Sequence, residues 1–368
     1  MPAPSATQIV LFSSGDTGTV AAAHGEQYDL AHRALESSGF ERRANGTYLL
    51  PPSPAGEART TVKNLIRTAE LLQITVATSS RRYLGDIADS LAEQLPGTWE
   101  ASVSVYSHPV WQEDLAACLW DSGELMNAVT AERILYGATL VSSEGIELLL
   151  IDRPGHPAGY VVGALSFAGF DNSHEDACAP DSFVAEESDL AAGLTERFLP
   201  AYQQALRARR TIHVASALDR IRTRYRAWEA MVASTRYSNA TPVDIDALGV
   251  RTEEFLNSAW RDFLTVLDHG PTLLEQYPHA TTRHPENAGT LARLSAALTD
   301  AEAVLADTTP RARHELNARM WPAIETWLTH GEQLLLQAQP TAPAAPPALP
   351  LYQPPRELPQ GGRPAHRR

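Results

Sequence analysis

The sequence has almost no lysine and almost no cysteine. Lys63 is the only lysine among 30 basic residues, so nearly every cation is an arginine. Together with the many alanines and prolines, this bias is typical of a GC-rich genome, and arginine abundance alone is therefore no evidence for a phosphate site. The two cysteines, Cys118 and Cys178, supply neither a disulfide framework nor a CxxC metal pair. We therefore expect a protein of the reducing cytoplasm.

Long apolar segments are missing as well. No run approaches the ~20 residues that span a bilayer, and the segment MPAPSATQIV has neither the basic nor the apolar region of a signal peptide. These absences predict no membrane contact. The 368 residues exceed one ordinary core and predict two folded domains.

Charge is unevenly distributed along the chain. Residues 1–204 carry 27 acidic and 11 basic side chains, residues 205–338 carry 16 and 15, and residues 339–368 carry 1 and 4. Nucleic-acid sites need a basic surface. The acidic first segment is therefore a poor candidate for such a site.

The glycine loop SSGDTG, residues 13–18, raises the question of a phosphate site. A P-loop lysine is absent, and Gly15 and Gly18 do not have the spacing of a dinucleotide-binding loop. The apolar segment TVAAAH follows at once, so the loop is predicted to be the turn of a β-hairpin. A phosphate-binding loop is the less favoured alternative.

Strand and helix patterns alternate after the hairpin and predict an α/β fold with parallel segments. From Gly137, the segments GATLVSS, GIELLLIDR and AGYVVGALSF predict an antiparallel meander. We expect the meander to continue the same mixed sheet, with a separate small domain as the alternative.

The rest of the folded chain is predicted to be helical. Apolar residues at steps of three and four indicate four helices, which predict an antiparallel bundle; they lie over Val214–Val232, Phe255–Leu267, Leu291–Leu305 and Met320–Leu334. A Pro/Ala-rich segment follows and predicts disorder. The predicted domains are residues 1–204 (acidic α/β domain), 205–338 (helical bundle) and 339–368 (disordered basic tail).

The segment VATSSRRYLGD, residues 76–86, is the best candidate for a ligand site. A strand is predicted to end at Thr78 and a helix to begin near Ser80. Free amides, hydroxyls and arginines at a helix N-terminus can bind an anion, so the candidate ligand-binding residues are Ser79, Ser80, Arg81 and Arg82. The alternative is an ordinary N-cap serine without a ligand.

The segment VYSHPVWQED, residues 105–114, is a companion site at another strand end. Ser107 can cap the next helix, and His108 has a pKa suited to proton transfer near neutrality. If the two segments follow adjacent strands, Ser79, Arg81 and His108 would converge. His108 and Glu113 are the weak catalytic candidates, because no third triad member and no GxSxG motif is present.

An acidic loop, residues 169–190, has seven carboxylates and no lysine or arginine. EF-hand and HExxH spacings both fail there, so we expect a solvated loop. No metal and no cofactor is predicted for the chain.

The stretch RARRTIHVASALDRIRTRYR, residues 207–226, is rich in arginine. Four of its arginines are candidate contacts to a nucleic acid or a partner: Arg220, Arg222, Arg224 and Arg226. The favoured interpretation is that this helix packs on the acidic half of its own chain or on a partner protein.

The segments TVAAAHGEQYDLAHRALESSGF and NGTYLLP, within about the first 50 residues, resemble short hairpin–helix–strand modules of actinobacterial plasmid and mobile-element proteins. These proteins are mostly uncharacterised, and the resemblance implies no particular site residue. An accessory role on nucleic acid is an alternative that rests on the arginine-rich helix and the basic tail.

The sequence favours a non-enzymatic cytoplasmic interaction protein, in which the helical part mediates self-association or binds a protein partner. The first alternative is an enzyme or binding protein for a small phosphate- or carboxylate-bearing ligand at the strand-end site. The second is a nucleic-acid accessory protein.

Overall fold

The computed structural model describes residues 7–121, 123–156, 159–166, 179–234, 244–275, 288–307 and 313–338. It divides into two compact units. The first is Met1–Ile221 with Arg261–Gln276, and the second is Arg222–Trp260 with Tyr277–Arg368. None of the described helices combines the length and apolar composition needed to cross a membrane.

A five-stranded sheet begins the first unit, in the order β3-β4-β2-β1-β5. Its strands are β1 (Gln8–Ser14), β2 (Gly18–His24), β3 (Glu41–Arg42), β4 (Tyr48–Leu49) and β5 (Thr75–Arg82). The β1–β2 pair is antiparallel, which confirms the predicted hairpin. Within the described residues, β1 and β5 form the only parallel pair. Helices α1 (Tyr28–Ser37) and α2 (Ala55–Leu71) bury their apolar stripes against one face of this sheet.

A second, antiparallel sheet has the order β11-β10-β9-β8-β6, with β7 also paired to β10. Its strands are β6 (Trp99–Val105), β7 (Leu119–Trp120), β8 (Tyr136–Ser142), β9 (Glu147–Asp152), β10 (Tyr160–Leu165) and β11 (Phe183–Ala185). The predicted meander β8-β9-β10 is confirmed. The prediction that the meander continues the first sheet is wrong. Strand β6 pairs with β8 along seven residue pairs, and the meander therefore belongs to a separate sheet.

The two sheets share the largest core of the first unit. Helix α3 (Leu84–Gln94) contributes Leu84, Ile87 and Leu91 to it, beside apolar residues of both sheets. Helices α4 (Pro109–Ala117) and α5 (Glu124–Ala131) cover another part of the second sheet. The mixed α/β class predicted for this part of the chain is thus confirmed, with two sheets in place of one.

Long helices form the rest of the described chain, as predicted. A short helix α6 (Leu190–Gly193) and a π-helical segment (Leu194–Phe198) lead directly into α7 (Leu199–Ser234). Helices α8 (Ile245–Glu275), α9 (Ala288–Ala306) and α10 (Arg313–Ala338) follow. The predicted boundary after residue 204 falls inside α7, and the compact units divide the same helix after Ile221.

In the second unit, segments of α7 to α10 pack through aromatic residues. Tyr225 stacks on Trp321 with ring centroids 5.4 Å apart, and Trp228 stacks on Phe255 at 5.5 Å. Trp327 is fully buried. Tyr225, Trp228, Phe255 and Trp327 belong to the apolar seam predicted from the sequence, whereas Trp321 was not among the residues predicted for it. The predicted tail, residues 339–368, lies outside the described residues.

Candidate functional site

The loop after β1, SSGDTG, is a turn in which a backbone amide donates a hydrogen bond to a carboxylate of the protein. Asp86, buried in the first turn of α3, accepts hydrogen bonds from the Ser14 hydroxyl at 2.7 Å and from the Gly15 amide at 2.7 Å. The Thr17 amide donates to Ser14 Oγ at 3.1 Å. A side chain of the protein thus occupies the position that an anion would take, which supports the turn interpretation of SSGDTG.

The strand-end prediction for residues 79–82 is wrong about the local structure. Strand β5 continues to Arg82, and α3 begins only at Leu84. After an irregularity in the pairing, Arg82 pairs with Ser13 of β1, and the Tyr83 amide donates to the Ser13 carbonyl. Of the backbone groups that the prediction assigned to a helix N-terminus, the Arg81 amide donates to Ser79 Oγ at 3.1 Å, and Arg82 lies in the strand pairing with β1. Neither Ser79 nor Ser80 is an N-cap.

The arginines of this segment contact acceptors within their own unit. Arg81 donates to Asp152 Oδ1 at 2.9 Å and to the Gly159 carbonyl at 2.8 Å, and it also contacts the carbonyl oxygens of Arg153 and His156. Arg82 pairs with Glu187. The anion site predicted for these residues depended on a helix N-terminus, but α3 begins only after them, at Leu84.

His108 and Ser107 have local structural roles. His108 is the N-cap of α4, and its Nδ1 accepts the Val110 amide at 3.2 Å, whereas Ser107 donates to the Ala23 carbonyl at 2.7 Å instead of capping. Glu113 is exposed on α4. Strands β5 and β6 belong to different sheets, so the adjacency on which the convergence of Ser79, Arg81 and His108 depended is not present.

Arg220 and Arg222 on α7 form ion pairs with other helices of their own unit. In the first unit, Arg220 Nε lies 2.9 Å from Asp262 Oδ1 of α8. In the second unit, Arg222 lies 3.5 Å from Glu332 and 3.3 Å from the Leu328 carbonyl of α10. Arg224 and Arg226 are exposed, and a nucleic-acid or partner contact through them stays a prediction.

Residues 169–178 of the acidic loop lie outside the described residues. Within the described ones, no group of three or more histidine, cysteine, aspartate or glutamate side chains is placed to bind a metal ion.

A cleft of about 780 Å³ lies within the first unit, between α7, α8 and the β8–β9 turn. Its lining includes four side chains that are cationic or can become so: Arg209, Arg210, His213 and His269. The imidazole rings of His213 and His269 are 5.3 Å apart between centroids and connect the two helices. None of the four was among the candidate site residues predicted from the sequence.

The centre of the cleft has a positive electrostatic environment. Arg209 is 6 % exposed, and Arg210 is half-buried beside it. Burial lowers the pKa of Arg210, and the charge of Arg209 lowers it further. Burial likewise lowers the pKa of His269, with the two arginines acting in the same direction and Asp268 opposing them. Positive charges that lower the pKa values of Arg210 and His269 in this way favour a bound anion.

The acidic residues of the cleft lie at its rim. The side chain of Asp268 is 76 % exposed, although it reaches His269 Nδ1 at 3.4 Å, and Glu144 is exposed in the β8–β9 turn. Water screens exposed charges more strongly than buried ones. The charges of these two carboxylates are therefore screened more strongly than the charge of the buried Arg209.

The cleft could have been recognised in part from the sequence. Gln203, Leu206, Arg210 and His213 follow one another at steps of three and four, so they share one face of α7. Polar and cationic residues at the three- and four-residue spacing that apolar core residues usually have could have indicated a functional surface. The partner His269 lies 56 residues later, and only the tertiary fold shows that it faces His213.

Comparison with known proteins assigns no function to these residues. No protein-family model, curated protein or solved structure matches the chain.

Proposed function

We propose that the protein binds a small anionic ligand in the cleft of its first unit. The observation that carries the proposal is the convergence of Arg209, Arg210, His213 and His269 on one concave site. The ligand class is that of the second sequence hypothesis, a phosphate- or carboxylate-bearing molecule. The location differs, since the strand-end segment of residues 79–82 is part of a sheet.

The charge arrangement supports an anion over a neutral or cationic ligand. Arg209 and Arg210 are adjacent in sequence and close enough to depress the pKa of Arg210. Holding two guanidinium groups together costs electrostatic free energy. An anion bound at Arg210 would interact favourably with both positive charges, and hydrogen bonds between guanidinium and phosphate or carboxylate are charge-assisted and often bidentate.

The size of the cleft supports a small molecule as the ligand. A volume of about 780 Å³ falls within the range of roughly 300–1,000 Å³ that small-molecule sites occupy. The polar residues Gln203, Thr265 and Thr272 also line it. They can donate hydrogen bonds that would orient the ligand.

The experiment is isothermal titration of the full chain with inorganic phosphate at pH 7.5. We expect saturable binding, and we expect Arg210→Gln to weaken it about tenfold or more, as loss of a hydrogen bond to a charged group does. Arg226→Gln is the matched control, because Arg226 is an exposed arginine on the same helix in the second unit. Circular dichroism checks that both variants keep their helix content.

Two results would contradict the proposal. One is the absence of saturable phosphate binding by the wild-type chain. The other is equal binding by the wild type and Arg210→Gln. The protein-association and nucleic-acid roles predicted from the sequence stay predictions, and so does the cytoplasmic location.

A further inference from the structure

We infer that the cleft binds its anion together with one proton, which is taken up by the imidazole pair of His213 and His269. The inference rests on the proposed function and specifies how that site is regulated, since the affinity for an anion rises as the pH falls through neutrality. The two rings line the cleft from α7 and from α8, and their centroids are 5.3 Å apart.

The histidine pair is the part of the cleft lining that changes its charge near neutral pH. The ordinary pKa of an imidazole is about 6.5, whereas a guanidinium keeps its charge throughout this range. Arg209 and Arg210 are therefore constant charges of the lining. Burial raises the pKa of Tyr202 to about 12, so its hydroxyl stays neutral near pH 7.

The surroundings of His269 keep its ring neutral in the unliganded chain at pH 7.5. Its side chain is 15 % exposed. Burial lowers its pKa, and the charges of His213 and of the two arginines lower it further, whereas Asp268 acts in the opposite direction. Asp268 and Glu144, the carboxylates of the described lining, are both exposed. Their charges are therefore screened by water.

A bound anion reverses this balance. The positive charge of Arg210 lowers the pKa of His269, so an anion beside Arg210 acts on the same ring with the opposite sign. Residues 210 and 213 are three positions apart on α7, about 4.5 Å along the helix axis, so the anion is close to the His213 ring as well. A negative charge near an imidazole favours its protonated form. Anion binding therefore stabilises the protonated pair, which takes up a proton from the solvent.

The short distance between the rings limits the uptake to one proton. Two imidazolium ions with centroids 5.3 Å apart would repel each other, so the first protonation opposes the second. The protonated pair is more populated at lower pH, and the affinity for an anion therefore rises as the pH falls. Uptake of one proton changes an affinity by at most about tenfold per pH unit.

The test is isothermal titration of the full chain with sulfate at pH 7.5 and at pH 6.5, at constant ionic strength. Sulfate stays a dianion across this range, so the ligand itself does not titrate. We expect sulfate to bind at least about threefold more tightly at pH 6.5. Titrations at pH 6.5 in bis-tris and in imidazole buffer should show net proton uptake that does not exceed one proton per sulfate. Both buffers are cationic and do not compete for the site, and they differ in ionisation enthalpy.

Two variants assign the proton to the histidine pair. His213→Gln combined with His269→Gln removes both titrating rings and keeps polar side chains in the cleft. This double variant should bind sulfate more weakly than the wild type and with the same affinity at both pH values. His330→Gln is the matched control, because His330 is a partly exposed histidine on α10 in the second unit and does not line the cleft. It should keep the pH dependence of the wild type.

The outcomes separate this inference from the proposed function. Equal sulfate affinity of the wild type at both pH values overturns the inference and leaves the anion site intact. A pH dependence that persists in the double variant, or that His330→Gln abolishes, assigns the proton to other groups and also overturns it. If phosphate binds but sulfate does not, the site requires a proton on the anion and not on the protein, and the inference is overturned. If neither anion binds, the proposed function itself is wrong, and this inference is overturned with it.

Discussion

His24 is a buried histidine at the end of β2 whose environment favours the neutral ring. Its Nε2 lies 3.2 Å from Gln8 Oε1, and its Nδ1 has no hydrogen-bond partner. Burial, and to a smaller extent the charge of Arg133, lowers its pKa to about 4. Protonation of His24 is therefore coupled to unfolding.

The sign of the pH effect follows from this pKa. The unfolded chain binds a proton at His24 near pH 6.5, whereas the folded chain binds it only near pH 4. Stability due to the neutral ring is complete above pH 6.5 and is lost as the pH falls toward 4. We expect a loss of about 2 kcal/mol in the free energy of unfolding between pH 7 and pH 5.

Urea unfolding at both pH values measures this loss, with His24→Gln as the comparison. The glutamine variant lacks the titrating ring, so its loss between pH 7 and pH 5 should be smaller by about 2 kcal/mol. A pH dependence identical to that of the wild type would show that His24 is protonated in the folded state, or that other groups account for the effect.

At the scale of elements, the strands and turns that could be predicted correctly are those whose structure is determined by residues close together in the sequence. The hairpin β1–β2 and the meander β8–β10 were predicted because turn residues and apolar runs are local signals. The end of β5 was predicted wrongly. Two serines before a helix suggested an N-cap, but pairing of Arg82 with Ser13, far away in sequence, extends the strand.

The arrangement into two sheets was not predictable for the same reason. Nothing in the sequence of β6 indicates that it pairs with β8 and not with β5. The same holds for the candidate cleft, because three of its four cationic or ionisable side chains come from α7 and one comes from α8. The stripe of Leu206, Arg210 and His213 was visible in the sequence, whereas its partner His269 was not.

The two tryptophans of the helical seam differ in burial, and this difference predicts different mutational effects. Trp327 is 0 % exposed, and its indole nitrogen donates to the Leu294 carbonyl at 3.3 Å. Trp228 is half-buried and donates to Thr252 Oγ1 at 3.0 Å. We expect Trp327→Ala to lower the free energy of unfolding by about 3–5 kcal/mol, as large-to-small core substitutions do.

Trp228→Ala should cost less, about 1–2 kcal/mol, because it removes less buried area and one hydrogen bond. Chemical denaturation followed by circular dichroism measures both losses. Equal losses in the two variants would mean that Trp228 is as well packed as Trp327 in solution.

At the scale of the whole molecule, the last segment is expected to add nothing to the folded core. Helix α10 ends at Ala338, and residues 340–368 are rich in proline and alanine with few large apolar side chains. Deleting residues 340–368 should leave the melting temperature unchanged within error. A fall of several degrees in a thermal melt would show that this segment packs against the rest of the protein.

The division into compact units also has a consequence for synthesis. The segment Arg261–Gln276 belongs to the same unit as Met1–Ile221, and it carries the α8 side of the cleft. While the ribosome elongates the chain, the first unit cannot be completed until residues near 276 have emerged. By then the segment Arg222–Trp260 has also been synthesised. It can complete the second unit only after α9 and α10 have been synthesised as well. A nascent chain released after Ile221 would therefore have the arginines and His213 of the cleft without His269, which faces His213.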